Sequence, residues 1–405
     1  MKGQRMLMQC FRGMCVTVII GCIILIPAGC TPASKITFPE KAKVMDVVNK
    51  LKGARIISIQ DCDKFNAIDQ EGMNGVWGNS PVNDYDRYYP CRLKEYLGLE
   101  IVIVRSPELL EEMAEIDNSQ VEKVADTWIS QATKVKNVTR NDILRPARLY
   151  LAQKALLKKY HAVAISYNDA TLSLSDQIIN AYHPLVMLEF SKEKTPSCNQ
   201  AHLDCLVTQL IVAYLTDGRI GYVGDALNDW HFKPTGKRPE NVVIIGHCTA
   251  PINPHGNDRI PYLIRDHIHS VVGDPYHVFS PAAKKRDWFS PDDTPTATTV
   301  EWPTNEPVTI VKFDVFRKKV SMFKGTALDG NALYQNFPEI ICRNKTVIRI
   351  DDPQNKNCYL LPSDEKGGLF RNWWGTWGCH QVVFYGDQRK ILRDFAALTG
   401  FEVVE

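Results

Sequence analysis

The sequence predicts an α/β protein in which a parallel-sheet layer is followed by a strand-rich module. Short runs of β-branched and apolar residues at 54–59, 100–104 and 161–166 alternate with segments whose apolar residues recur at helical spacing. That alternation is the mark of parallel strands covered by helices. Beyond residue 306 short apolar runs separated by turn residues take over until a final helix, the pattern of an all-β module. At 405 residues the chain is longer than one core usually serves, so two or three domains are expected.

The first thirty residues stand apart: Lys2, Arg5 and Arg12 precede the apolar run Met14 to Pro27, which ends in Ala28-Gly29-Cys30. A charged start, an apolar run short for a bilayer and small residues at its end make an export leader. Small residues directly before a cysteine also resemble a bacterial lipoprotein signal, although Pro27 stands where that pattern usually has leucine. Cys30 would then be the lipidated first residue of the mature chain. The chain is expected to be exported and membrane-anchored through this leader or its lipid; an uncleaved anchor and a cytoplasmic protein are the alternatives.

Ala54 to Ile59 reads as the first strand, and Asp61 to Tyr89, rich in Asp, Asn, Gly and Tyr, as a long excursion. Helix and strand resume at 93–97 and 100–104. Ser106 is the expected N-cap of the next helix, with Pro107 at its first position. Helical spacing runs through 121–132 and 141–160 and feeds the strand 161–166. A strongly apolar helix follows from about Ala201 to Leu215 and stops at Thr216-Asp217-Gly218.

Gly221 to Asp225 then forms a short strand, and the run Asn241 to Gly246 stops abruptly at His247-Cys248-Thr249-Ala250-Pro251. An apolar run without polar alternation reads as a strand buried on both faces of a mostly parallel sheet. Ligand sites form beyond the carboxyl ends of such strands, so Asp225 and His247 are candidate metal or acid/base groups at two strand ends. Short strands are expected at 308–316, 320–324, 340–342, 346–350, 359–361 and 382–385. A final helix, 387–398, is capped by Gly400.

Lysine plus arginine nearly balance aspartate plus glutamate, for a formal net charge of +2, so no electrostatic case for a nucleic-acid partner exists. Of twelve cysteines, the eight beyond Cys30 show no CxxC pair and read as buried thiols, Cys248 included. His255, Asp266-His267-Ile268-His269 and His277 offer no third ligand by spacing and read as loop or surface histidines. Trp373, Trp374 and Trp377 lie in a Gly-containing stretch just before His380. Such rings either stack on sugar faces, which makes Trp374 and Trp377 candidate substrate contacts, or seal a small β domain.

Several of these segments, in this order, resemble the L-fucose and L-arabinose isomerase family. They are the helical stretch Glu108 to Lys158, the block Pro196 to Pro251 with Tyr214-Leu215-Thr216, Gly224-Asp225 and His247-Cys248-Thr249-Ala250-Pro251, and the end from Gly378 to Glu405. That end contains Cys379-His380-Gln381-Val382-Val383-Phe384-Tyr385-Gly386-Asp387. The likeness covers most of residues 100–405.

It implies Rossmann-like parallel-sheet domains followed by a C-terminal β-rich, barrel-like domain. The divisions are a leader at 1–30, an N-terminal α/β domain at 31–170 shorter than the family's, a second α/β domain at 171–295 carrying the site, and the β-rich domain with its final helix at 296–405. It also implies an aldose–ketose isomerase acting on a small sugar through an enediol, with Mn²⁺ or another divalent metal as cofactor. A homo-oligomer is the family's habit; the shortened first domain leaves its form open.

Carried over by position, Asp225 is a metal ligand and acid/base carboxylate, His380 the C-terminal ligand, and His247 a histidine at or near the metal. Gln200 falls where the family has a glutamate that binds metal and moves protons, and His202 where an aspartate often follows. A glutamine carbonyl can touch a metal but brings neither charge nor a base. Asp204, one helical turn on, is the substitute the sequence offers. Three functions compete: a metal-dependent sugar isomerase, a sugar-binding lipoprotein that keeps the fold without turnover, and a structural envelope protein with no ligand, which explains the leader but not Asp225, His247 and His380.

Overall fold

The strands of the protein, in a computed structural model, are β1 (Arg55–Ile59), β2 (Glu100–Val104), β3 (Val135–Lys136), β4 (Ala162–Tyr167), β5 (Ser197–Asn199), β6 (Tyr222–Leu227) and β7 (Val242–His247). They continue with β8 (Tyr262–Asp266), β9 (Thr296–Val300), β10 (Pro307–Asp314), β11 (Lys319–Leu328), β12 (Asn344–Ile350), β13 (His380–Tyr385) and β14 (Glu402–Val404). The structure describes residues 38–72, 75, 78, 80–175, 178–227, 229, 232–267, 294–339, 342–351 and 377–405. The leader with Cys30, the 359–361 strand, Ile268, His269, His277, Trp373 and Trp374 lie outside the described residues.

β2, β1, β4 and β5 form a sheet in that order, parallel throughout. The helix Asp84–Leu97 precedes β2 and the helix Arg140–Tyr160 precedes β4, so the alternation read from the sequence does build a parallel layer. Both helices start in a capping box, Asn83 with Asp86 and Thr139 with Asp142, which satisfies two of the donors a helix start leaves free. The expected excursion at 61–89 instead holds the short helix Ala67–Glu71 and the start of Asp84–Leu97. The expected cap at Ser106 also shifts. Arg105 is the N-cap position, and Asp61 does the capping, accepting the Ser106 N–H at 2.8 Å and its hydroxyl at 2.6 Å.

The second sheet runs β10-β13-β6-β7-β12-β11-β14, and β10 also pairs with β11. The pairings thus return to the strand they started from, antiparallel at every step, with β14 added in parallel on β11. β11 changes partner along its length, from β10 to β12. Gly325 sits at the change, where a Cβ would lie 2.5 Å from Ile348 Cγ2 and 2.7 Å from the Arg349 carbonyl oxygen. Only a residue without a side chain lets the strands approach so closely there. A third sheet, β3-β8-β9, is small.

β7 is buried along its whole length, as its composition requires, but the expectation of parallel neighbours was wrong: β6 and β12 both run antiparallel to it. Its alternate residues enter two different apolar clusters. Val243 and Ile245 pack into the main core, Val242 and Ile244 against Phe232, Tyr334 and Phe337. Burial on both faces erases polar alternation whatever the strand direction. Nor is Asp225 at a strand end; it lies within β6.

The helix Leu203–Leu215 is buried at every position but Tyr214. It packs between β4 and β5 on one side and β10 and β13 on the other, which is why it is apolar all round. It begins at Leu203 rather than Ala201 because Gln200 and Ala201 take left-handed backbone angles, φ 54° and 53°. Phe38–Glu405 form one compact unit, and among the described residues no helix is long and apolar enough to cross a membrane.

One buried histidine is structural. His183 precedes the helix Pro184–Lys192, with Nε2 3.1 Å from Gln153 Oε1, and burial pushes its imidazole down to about 3. An unfolded histidine titrates near pH ~6.5. Between these values the unfolded chain binds a proton that the folded chain refuses. His183 therefore takes stability away as pH falls below about 6.5, by about 1.4 kcal/mol per unit. Chemical denaturation at about pH 7 and about pH 5 should show a loss roughly 2 kcal/mol smaller in His183→Gln; an unchanged loss would assign the acid sensitivity elsewhere.

Candidate metal centre

β6 and β13 run antiparallel with Asp225 directly opposite His380, which puts both side chains on one face of the sheet. β7 lies on the other side of β6 and ends in His247. These three residues meet: their ligand atoms all lie within 4.8 Å of one another. His380 Nδ1 is 3.5 Å from Asp225 Oδ1 and 3.0 Å from the Cys379 sulfur. The His247 and His380 rings are 5.3 Å apart.

A second group shares His380. Asp69, His202 and His380 also bring their ligand atoms within 4.8 Å. His202 is delivered by the strained turn after β5: Gln200 N–H donates to Asp169 at 3.1 Å, Gln200 and Ala201 are both left-handed, and His202 takes the N-cap position of the buried helix without a side-chain capping bond. Strain of this kind costs about 1–3 kcal/mol per residue and persists where surroundings enforce it. The His202 ring lies 3.8 Å from that of His380, tilted by 36°. Asp69 comes from the short helix Ala67–Glu71, which Asn66 pins to the same turn. Asn66 N–H donates to the Ala201 carbonyl at 3.4 Å, and Asn66 Oδ1 accepts the Asp204 N–H at 2.8 Å.

Burial sets the charges. His380 is pushed well below the usual histidine range by desolvation, then by the neighbouring His202 and His247. His202 is lowered too, by burial against the opposing pull of Asp69. Both rings are therefore neutral and able to offer lone pairs. Burial raises Asp225 to about 7. Burial works the same way on Asp69 but is overcome by Lys312, then His202 and His380, which hold that carboxyl well below the usual range. Lys312 comes from β10 and donates to Asp69 Oδ2 at 2.5 Å and to the Trp377 carbonyl at 2.6 Å.

Buried polar atoms around His380 are left over. Asp225 Oδ1, His380 Nε2 and His202 Nδ1 have no hydrogen-bond partner among the described residues. A buried polar atom left so costs about 1–3 kcal/mol, and three in one place fit a site built to take a ligand. Imidazole nitrogens mixed with carboxylate oxygens suit first-row divalent ions better than calcium or magnesium. No protein-family model and no curated protein matches this chain.

Gln200 is half-buried, and its Oε1 lies 3.3 Å from His202 Nε2; it reaches the second group through that ring. Asp204 is committed elsewhere, its Oδ1 accepting the Tyr89 hydroxyl at 2.7 Å and the Val315 N–H at 3.2 Å. Trp377 is buried with the Arg317 guanidinium 5.4 Å from its ring centre, and its carbonyl anchors Lys312. Cys248 is a buried free thiol. His255 is held by Asp258 and Glu306, and His267 packs its ring 4.3 Å from Tyr182. Sequence reasoning missed Asp69 and Lys312. Asp69 carries no local signal, but a lone lysine inside the apolar run Val308 to Phe313 was one, since lysine is rarely fully buried unpaired.

Proposed function

We propose that this chain is a divalent-metal-dependent aldose–ketose isomerase with Rossmann-like and barrel-like parts, acting on a small sugar at the His380 centre. The observation that carries the reading is the meeting of Asp225, His247 and His380, named in order by the family resemblance, at a spacing that one ion could bridge. The orphaned atoms Asp225 Oδ1 and His380 Nε2 support it. A bound divalent ion, Mn²⁺ in this reading, would supply Lewis acidity toward two neighbouring sugar oxygens. His380, with the carboxylates and imidazoles beside it, would hold that ion. Asp225 would take the proton from one sugar carbon and return it to the next through its unpartnered Oδ1, inside a site from which burial excludes bulk water.

Purified protein with added Mn²⁺ is expected to convert at least one member of an aldose panel to its ketose. Asp225→Asn should cut that turnover by about 10²–10⁴-fold. A specific observation favours a second reading: neutral Gln200 stands where the family has a charged base. Sugar binding that is indifferent to metal, with no ketose formed, would replace the isomerase by an exported sugar-binding lipoprotein. Metabolic labelling with a radioactive fatty acid, lost in Cys30→Ser, tests the lipid part of either reading.

A further inference from the structure

We propose that Asp69 and His202, together with His380, form the cation position in this chain, a carboxylate and an imidazole from outside the second sheet replacing the glutamate that Gln200 does not supply. The proposal rests on reading the centre as a metal site and says which side of His380 the ion occupies.

Hydrogen bonding divides the two groups. His247 Nδ1 accepts the Cys248 N–H at 2.9 Å, so the neutral ring carries its proton on Nε2. That nitrogen is 3.2 Å from Asn199 Nδ2, and since two donors cannot pair, the Asn199 amide is turned to bring its oxygen to the Nε2–H. A neutral imidazole whose Nδ1 is used as an acceptor has no second lone pair for a cation. His202 is arranged the other way. Its Nε2 lies 3.3 Å from Gln200 Oε1, an amide oxygen that can only accept, so the proton sits on Nε2 and the lone pair on Nδ1. His202 Nδ1 is fully buried, has no hydrogen-bond partner among the described residues, and faces Asp69 Oδ2 at 3.5 Å.

Two acceptors facing each other in a buried space repel unless something positive lies between or beside them. His380 turns Nδ1 toward the Asp225 carboxyl, where the ring's proton is placed, and its unpartnered Nε2 is then a third buried acceptor, on a ring tilted against that of His202. Lys312 sits beside Oδ2, the oxygen that faces His202, but leaves His202 Nδ1 and His380 Nε2 without a donor; Asp69 Oδ1 has the weak Cys379 thiol at 3.7 Å. Gln200 becomes a positioning residue: by fixing the His202 tautomer it turns Nδ1 into a ligand, so its amide suits this site as a glutamate would suit the other. Asp225, across His380 on the Nδ1 side, is then left free of the ion and available to the sugar.

The test uses the full chain, stripped of metal and titrated with Co²⁺ by calorimetry while the visible ligand-field band is recorded. His202→Gln and Asp69→Asn are each expected to weaken Co²⁺ by at least about 30-fold and to change the band, whereas Asp225→Asn, beside the ligand His380, should cost at most about tenfold and His247→Gln at most about threefold, both with the band intact. Asp69→Asn also breaks the pair with Lys312, so if it does not fold, His202→Gln decides alone. Binding that survives His202→Gln and is lost in Asp225→Asn or His247→Gln overturns the proposal and leaves the metal-centre reading standing. A wild-type chain that takes up no Co²⁺ overturns both.

Discussion

Lys312→Met should destabilise the protein by about 3–5 kcal/mol. The lysine side chain is 2% exposed and that of Asp69 9%, and the two meet at 2.5 Å. Removing the ammonium leaves a buried carboxylate facing His202 and His380 with no full opposing charge. It also strips the Trp377 carbonyl of the N–H that holds it. The carboxylate will answer by taking up a proton, which limits the loss but ends its use as a ligand.

Methionine matches the lysine stem, so packing changes little and the effect is electrostatic. Denaturant unfolding of Lys312→Met, Asp69→Asn and the double variant forms a cycle in which the double should recover at least about 2 kcal/mol of the summed loss. A single-variant loss under about 1 kcal/mol, or simple additivity, would show that the pair is not the keystone its burial indicates. With Lys312 gone, a divalent cation is the remaining counter-charge for Asp69. Saturating Co²⁺ should therefore restore more stability to this variant than it adds to the wild type.

That pair also marks where sequence reading stopped. Asp69 and Lys312 are 243 residues apart, and nothing local links an aspartate in a polar stretch to a lysine in an apolar strand. The parallel layer was legible, because β-branched runs and helical spacing are local patterns that crossovers impose. The burial of β7 was legible for the same reason, but its direction was not: apolar composition records how many faces are covered and says nothing of how neighbours run. The resemblance singled out Asp225, His247 and His380, which the structure brings together. Their neighbours were not legible, since a turn with two left-handed non-glycine residues, at Gln200 and Ala201, has no sequence signature. His202 therefore read as a replaced aspartate, although its ring lies 3.8 Å from that of His380.

His380→Ala should cost more metal affinity than any other single change. It is the one residue common to both groups of candidate ligands, so the outcome does not depend on which side the ion occupies. Losing a hydrogen-bonding neighbour of a ligand already costs about 10–100-fold; losing a shared ligand should cost at least about 100-fold. The ring is also fully buried between His202 and His247, so alanine leaves a cavity and some loss of stability. His380→Gln separates the two effects. It fills most of the volume and offers a carbonyl, so it should recover folding while recovering little affinity for an ion that prefers nitrogen. Calorimetric titration of Co²⁺ into both variants, with thermal unfolding as the control, reads the difference. If either variant bound Co²⁺ as tightly as the wild type, the convergence on His380 would be a packing arrangement, and neither acid–imidazole group would be a metal site.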